Sequence, residues 1–395
     1  MKRRITWLAA VVLILSSTPS ITQAANPAIK QGDNCTKLGT TIVQNGYKFF
    51  CIKNSSKLSW SKGVAFVEPV RIIKYPDAPT SFDDLIANYK GISYAAWSKS
   101  SAAITAANDM APAYKSLTGP NTVLAFKNPA SVFELVSRLY SGYKTATSFT
   151  VLSFSYDDRD WAQEQMRQLQ PRSTYQWITQ SACATRATCW GGGVFTDDKA
   201  NVLLVLTTEI LDDNHTNGTL EAHEFTHVVQ QSQIGSTQAW PTTGTWPPTW
   251  YLEGQAEFSQ NAAIFYKSFD LYTKNRRSVS EAIFNDSTIT STWIQEYFVV
   301  NPPSSWFSKY ESWRQYDLGG MLIEVLTALK GPSSTMEIWK LAGSGLKFND
   351  AFEKVYGLSF DKALPIISKA IALELGRSKL FFNRHRRWIS HRCSI

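Results

Sequence analysis

Apolar residues along the chain follow two rhythms. Short apolar runs at 122–126, 149–154 and 201–206 are too brief for helices and read as strands. Between them, apolar positions recur every three or four residues, predicting helices over 81–107, 131–139 and 158–169. Beyond Phe269 the helical period continues without a strand signal. Helices are expected over 313–330, 335–341, 349–356 and 360–375, separated by Gly and Pro.

The first 66 residues have a different texture. Met1-Lys2-Arg3-Arg4, the apolar run 5–15 and then Thr22-Gln23-Ala24 predict a secretory signal peptide over 1–25. That run is too short to span a bilayer, and no later stretch reaches transmembrane length. A secreted protein, extracellular or cell-wall associated, is the expectation. Residues 26–66 hold short strand patterns around Asn45-Gly46, a strong hairpin turn. So small a β module needs a staple, which Cys35 and Cys51 would provide. It resembles a small Cys-containing module found near the N-terminus of secreted actinobacterial proteins, a likeness that implies nothing catalytic. A linker is expected over 67–80, a second domain over 81–376 and a basic tail over 377–395.

Cysteine usage fits export. Cys35 and Cys51 lie close together, as do Cys183 and Cys189, and Cys393 is left over. No Cys-x-x-Cys spacing occurs, which argues against a zinc finger. The formal charge of +8 changes the picture little. Lys2, Arg3 and Arg4 would leave with the signal, and six more positive charges sit in the acid-free tail, so the body is nearly neutral. The basic pI is therefore no argument for nucleic acid as a partner.

The chemistry concentrates in His223-Glu224-x-x-His227. On a helix the two imidazoles fall one turn apart on one face and can close on a single Zn²⁺, with Glu224 beside them to handle a metal-bound water. The helix is predicted independently. Asn217 or Thr219 can cap it, Glu221 suits its first turn, and no Pro interrupts it. Leu220, His223, Glu224, His227 and Gln231 share one side, while Ala222, Phe225 and Val229 face the other way, into a core. The chain has five His, so two of them in this register is a specific signal. A third ligand is expected from Trp250-Tyr251-Leu252-Glu253-Gly254-Gln255-Ala256-Glu257: Glu253 completes a His₂Glu set with one open position. Glu257, one turn on, is placed to accept a hydrogen bond from the outer nitrogen of a ligating His.

At these residues the chain resembles the gluzincins, zinc metallopeptidases related to thermolysin and the aminopeptidases. The resemblance implies His223, His227 and Glu253 as zinc ligands and Glu224 as general base. A metzincin would need Gly at 230 and His at 233, where this chain has Gln at both. The implied fold is α+β and zincin-like: a mixed sheet and the active-site helix, then an all-helical lower half. The family's substrate-pairing edge strand would correspond to 191–195 or 201–206. Tyr316, in Tyr316-x-x-Gly319, resembles the Tyr that hydrogen-bonds the developing oxyanion in aminopeptidase-type members; Tyr310 is a weaker candidate. Trp240 and Trp246 on the loop 234–248, with Trp250 beyond it, would either line a cleft or pack the loop down.

Together these features predict a secreted, monomeric zinc metallopeptidase acting on peptide or protein substrate, loosely associated at most with the cell envelope. Two alternatives come from other classes: a surface binding protein with a non-catalytic zincin-like domain, and a zinc hydrolase acting on a non-peptide envelope amide.

Overall fold

The structure is a computed structural model describing residues 28–66, 74–171, 173–197, 199, 201–210, 216–235, 246–300, 310–311 and 313–377. The expected signal peptide, Trp240, Cys393 and all but the first residue of the basic tail fall outside these. The chain divides into two compact units, 1–74 and 75–395.

In the first unit, β1 (Thr41–Gln44), β2 (Tyr47–Asn54), β3 (Lys57–Trp60) and β4 (Val64–Ala65) form an antiparallel sheet. Asn45 and Gly46 turn the first hairpin with φ of 51° and 77°, the left-handed pair such a tight turn requires. The expected Cys35–Cys51 disulfide is formed, and Cys51 is buried.

The second unit is a mixed α and β structure. Its sheet contains β5 (Ala113–Thr118), β6 (Ser148–Phe154), β7 (Gly192–Thr196) and β8 (Val202–Thr207), in spatial order β5-β6-β8-β7. The first three run parallel and β7 lies antiparallel at one edge. β8 reads Val-Leu-Leu-Val-Leu-Thr because both of its faces are covered. Val202, Leu204 and Leu206 join one core cluster, and Leu203 and Val205 join another. The first side carries α1 (Ile92–Ala106), α2 (Pro129–Leu139) and α4 (Thr219–Ile234); the second carries α3 (Arg159–Leu169) and the buried Cys183–Cys189 disulfide.

Sequence and structure part at two places. Residues 122–126 form no strand; the sheet's outer strand is β5, which begins nine residues earlier. The reason is Asp158, buried at the head of α3, whose carboxylate accepts hydrogen bonds from Asn121 N, Asn121 Nδ2 and Thr122 Oγ1 and pins that segment as a loop. The helix expected over 81–107 starts only at Ile92. Before it, Asp84 holds a turn by accepting from the backbone N–H of Thr80 and Ser81.

Among the described residues only helices follow: α5 (Thr249–Ile264), α6 (Phe269–Val279), α7 (Glu281–Asn285), α8 (Ser291–Val300), α9 (Arg314–Lys330), α10 (Pro332–Gly343), α11 (Phe348–Tyr356) and α12 (Phe360–Glu374). Trp250 lies in the core of this half, its ring 4.8 Å from that of Phe298 and 5.3 Å from that of Phe360. Trp246 packs edge-on against Trp339. Both aromatics therefore pack into the core rather than line a cleft.

The packing of α5 on α9 is unusually close. A Cβ added to Gly254 would lie 2.2 Å from the backbone carbon of Gly319, and one added to Gly319 would lie 2.2 Å from the carbonyl oxygen of Trp250. Only a pair of glycines permits that crossing. Next to it, the half-buried Arg276 bridges Glu324 and Glu374, with Tyr272 donating to Glu324.

Candidate metal centre

α4 begins at Gly218, whose φ of 89° only glycine adopts comfortably, and Asn217 Oδ1 accepts the backbone N–H of Thr219 at 2.9 Å. The N-cap is Gly218, without a side-chain cap, and Asn217 only braces the turn that precedes it. The apolar side of α4 is anchored by Phe225, 4.8 Å from the ring of Phe133 and 5.5 Å from that of Phe149. The polar side does not meet solvent. His223, Glu224 and His227 are all buried, because α5 and the start of α9 cover them.

The structure brings the two His and Glu253 together. His223 Nε2 and His227 Nε2 each lie 3.3 Å from Glu253 Oε2, and the three candidate donor atoms are all within 4.8 Å of one another. Among the described residues this is the one group of at least three His, Cys, Asp or Glu that could hold a metal ion. The outer ring nitrogens are occupied. Nδ1 of His223 faces Gln260 Oε1 at 3.1 Å, and Nδ1 of His227 faces Gln230 Oε1 at 2.7 Å. With Nδ1 of each ring held by an amide oxygen, Nε2 is the nitrogen that faces the cluster and would ligate a metal once its own proton is released. Two imidazoles and one carboxylate also match the donor set of a divalent, borderline-soft cation.

Glu257 sits where the helix spacing sends it, but its Oε2 is 3.8 Å from His223 Nδ1, too far for a hydrogen bond. Gln260, one turn further along α5, takes that nitrogen. Glu257 lies between His223 and a cavity of about 30 Å³ that is also bordered by Asn261, Arg276 and Asp317.

Glu224 lies against the edge strand. A Cβ on Gly192 would come within 2.8 Å of its Cγ and Oε1, so only glycine lets β7 run this close to the carboxylate. Glu224 Oε2 is buried and receives no protein hydrogen bond. An orphaned carboxylate oxygen beside three convergent donors has a reason to be there only if a non-protein group binds it. Along β7, Thr207 N donates to Gly191 O and Asp197 N to Asn201 O. The backbone groups of residues 191, 193, 195 and 197 therefore face β8, and those of Gly192, Val194 and Thr196 face the open side. Of the two candidate edge segments, β7 is the edge and β8 is interior. Gln231 closes part of that side, its Nε2 reaching Val194 O at 3.4 Å while its Oε1 accepts from Thr196 Oγ1.

The electrostatics follow from burial and proximity. Burial alone would lower the His223 pKa, but the hydrogen bond to Glu253 and the charges of Glu224, Glu253 and Glu257 outweigh it and raise it to about 9. Burial would raise Glu253, yet the two imidazoles hold it at about 2. Glu224 is raised, chiefly by burial, with the two His opposing. Tyr316 carries its ring 5.8 Å from that of His223, and the Glu253 carboxylate, with burial, lifts its hydroxyl well above the ordinary value. It stays a hydrogen-bond donor at neutral pH. Tyr310 instead donates to Glu296 and stacks beside Trp293.

Sequence reasoning did not find Gln230, Gln260 or Gly192. Gln260 lies seven residues from Glu253 on the same helical face, which is the one periodic signal that marks it. Compared with protein-family models, with curated proteins and with solved structures, the chain returns no match.

Proposed function

We propose that the chain is a secreted zinc-dependent peptidase. The observation that carries this is the convergence of His223 Nε2, His227 Nε2 and a Glu253 carboxylate oxygen beside the orphaned, buried Glu224 Oε2. His223, His227 and Glu253 would hold the ion. When bound, Zn²⁺ supplies Lewis acidity toward the scissile carbonyl and lowers the pKa of water in its open position toward neutrality.

Glu224 accepts the proton of the attacking water at Oε2 and passes it to the leaving nitrogen. Its burial, which raises its carboxyl, suits it to release that proton as well as to take it. The Tyr316 phenol, held protonated, donates to the oxyanion that develops on the former carbonyl. The open backbone groups of Gly192 pair with an extended substrate and bring its scissile bond over Glu224. Two disulfides, which persist in an oxidising compartment, are compatible with secretion.

The first test is metal content of the full chain purified without chelators, beside Glu253→Ala. About one zinc per chain, mostly lost in the variant, supports the ligand set. No zinc in the parent, even when offered at neutral pH, ends the peptidase reading in favour of a binding protein. With zinc present, a peptide library is screened against Glu224→Gln as control, and cleavage confined to non-peptide amides would redirect the substrate class.

A further inference from the structure

We infer that Trp339, on α10 and remote from the cluster, fixes which nitrogen of His227 carries its proton, acting through Gln255 and Gln230. Hydrogen-bond direction along the relay carries this inference, which rests on His227 being a metal ligand as proposed above. An indole N–H can only donate. Trp339 Nε1 lies 2.6 Å from one amide atom of Gln255, so that atom is the oxygen, Oε1. The same Oε1 also meets an amide atom of Gln230 at 3.0 Å, which must then be the nitrogen, Nε2. Gln230 Nε2 donates a second time, to the carbonyl of Leu252 at 3.1 Å, which confirms the orientation from another side. Gln230 Oε1 is left facing His227 Nδ1 at 2.7 Å. An amide oxygen only accepts, so Nδ1 carries a proton, and in the neutral ring the lone pair is left on Nε2, toward His223 and Glu253.

The far end is closed as well. Gln255 Nε2 donates to Thr335 Oγ1 at 2.8 Å, and the Thr335 hydroxyl donates on to the carbonyl of Pro332. Gln230, Gln255, Thr335 and Trp339 are completely buried, so no water can stand in for a missing partner. Flipping either amide would set two like groups face to face, an orphaned pair that costs more than a hydrogen bond. The ring of His227 is thus delivered to the cluster in its ligating form by a single obligate donor on another helix. Trp339, Gln255 and Gln230 are positioning residues; none lies among the donor atoms.

The test is long-range ¹H–¹⁵N NMR of the full chain before metal loading, at a pH where the ring is neutral, together with zinc affinity by chelator competition. The parent is expected to show His227 protonated on Nδ1. Trp339→Phe, which keeps a ring but loses the donor, and Gln230→Met, which removes the acceptor, are expected to mix the two tautomers. Both should weaken zinc about 10- to 100-fold, the usual effect of removing a ligand's hydrogen-bond partner. Parental protonation on Nε2 overturns the inference whatever the zinc result. So does a folded Trp339→Phe with the parent's tautomer and affinity; if that variant does not fold, the parent spectrum and Gln230→Met decide. A parent protonated on Nδ1 that binds no zinc supports the relay and refutes the peptidase instead.

Discussion

The close approach of α5 to α9 gives the sharpest test of how the site is held. Gly254 follows the proposed ligand Glu253, and its α-carbon faces Gly319 across the crossing of α5 and α9. In Gly254→Ala the new methyl would stand 2.2 Å from the Gly319 carbonyl carbon, where ordinary contact begins at 3.4 Å, so the helices must part by about 1.2 Å. Every atom the methyl meets there is backbone, and no side chain can swing away. Overpacking of a rigid core typically costs about 1–3 kcal/mol, and a backbone collision belongs at or above the top of that range. Losing contact across a gap of about 1 Å also forfeits up to half the dispersion of the atoms involved. The second effect is geometric. Metal–ligand distances tolerate only about ±0.2 Å, so displacing the start of α5 should release Glu253 from the cluster. Gly320→Ala is the control one position along, because its nearest neighbour is Glu257 Cγ at 3.4 Å. It should be neutral or gain up to about 1 kcal/mol of helix propensity. Urea denaturation and zinc stoichiometry on both variants form the assay. Gly254→Ala as stable and zinc-replete as the parent would refute the role given to the glycine crossing.

Glu224→Gln should bind zinc like the parent and cleave nothing in a peptide library; cleavage at the parental rate would remove Glu224 as the base. Glu221, with a buried Oε2 that no group binds, has its pKa raised by burial from 4.5 to about 7. Between those values the folded chain keeps a proton that the unfolded chain releases, so its contribution to stability falls as pH rises from 4.5 to 7 and is constant above. Glu221→Gln should therefore match the parent near pH 4 and exceed it by up to about 3 kcal/mol at pH 8, a difference that denaturation at the two pH values measures. If the difference does not grow with pH, Glu221 is ionised in the fold. Arg276→Met leaves Glu324 and Glu374 buried without their cation and should cost about 3–5 kcal/mol; an unchanged melting temperature would show the triad to be dispensable.

The cluster that could hold a metal was legible in the chain because its spacing is helical: His223 to His227 is one turn, and Glu253 lies near the start of a second helix. The disulfides were legible because both pairs are local. What was not legible depends on residues far apart in sequence. The loop at 122–126 resembles a strand until Asp158 is brought to it from α3. Glu257 has the spacing of a His partner, yet Gln260 has the reach, a matter of side-chain direction that one-turn arithmetic does not resolve. Gln230 entered the sequence argument only as a departure from another family's pattern, and its contact with His227 depends on amides whose orientation is set from α10. Gly254 and Gly319 look like ordinary helix glycines until their backbones meet.

The open flank of β7 also bears on how this protein behaves in concentrated solution. A strand with free N–H and C=O groups is a template for another copy of itself, and such edges seed aggregation. Here the exposure is short. Gly192 and Gly193 have little β propensity, and the amide of Gln231 already occupies the carbonyl of Val194. Among the described residues that flank is three alternating residues long, Gly192, Val194 and Thr196, with one carbonyl already taken, which limits it to pairing with a short extended segment.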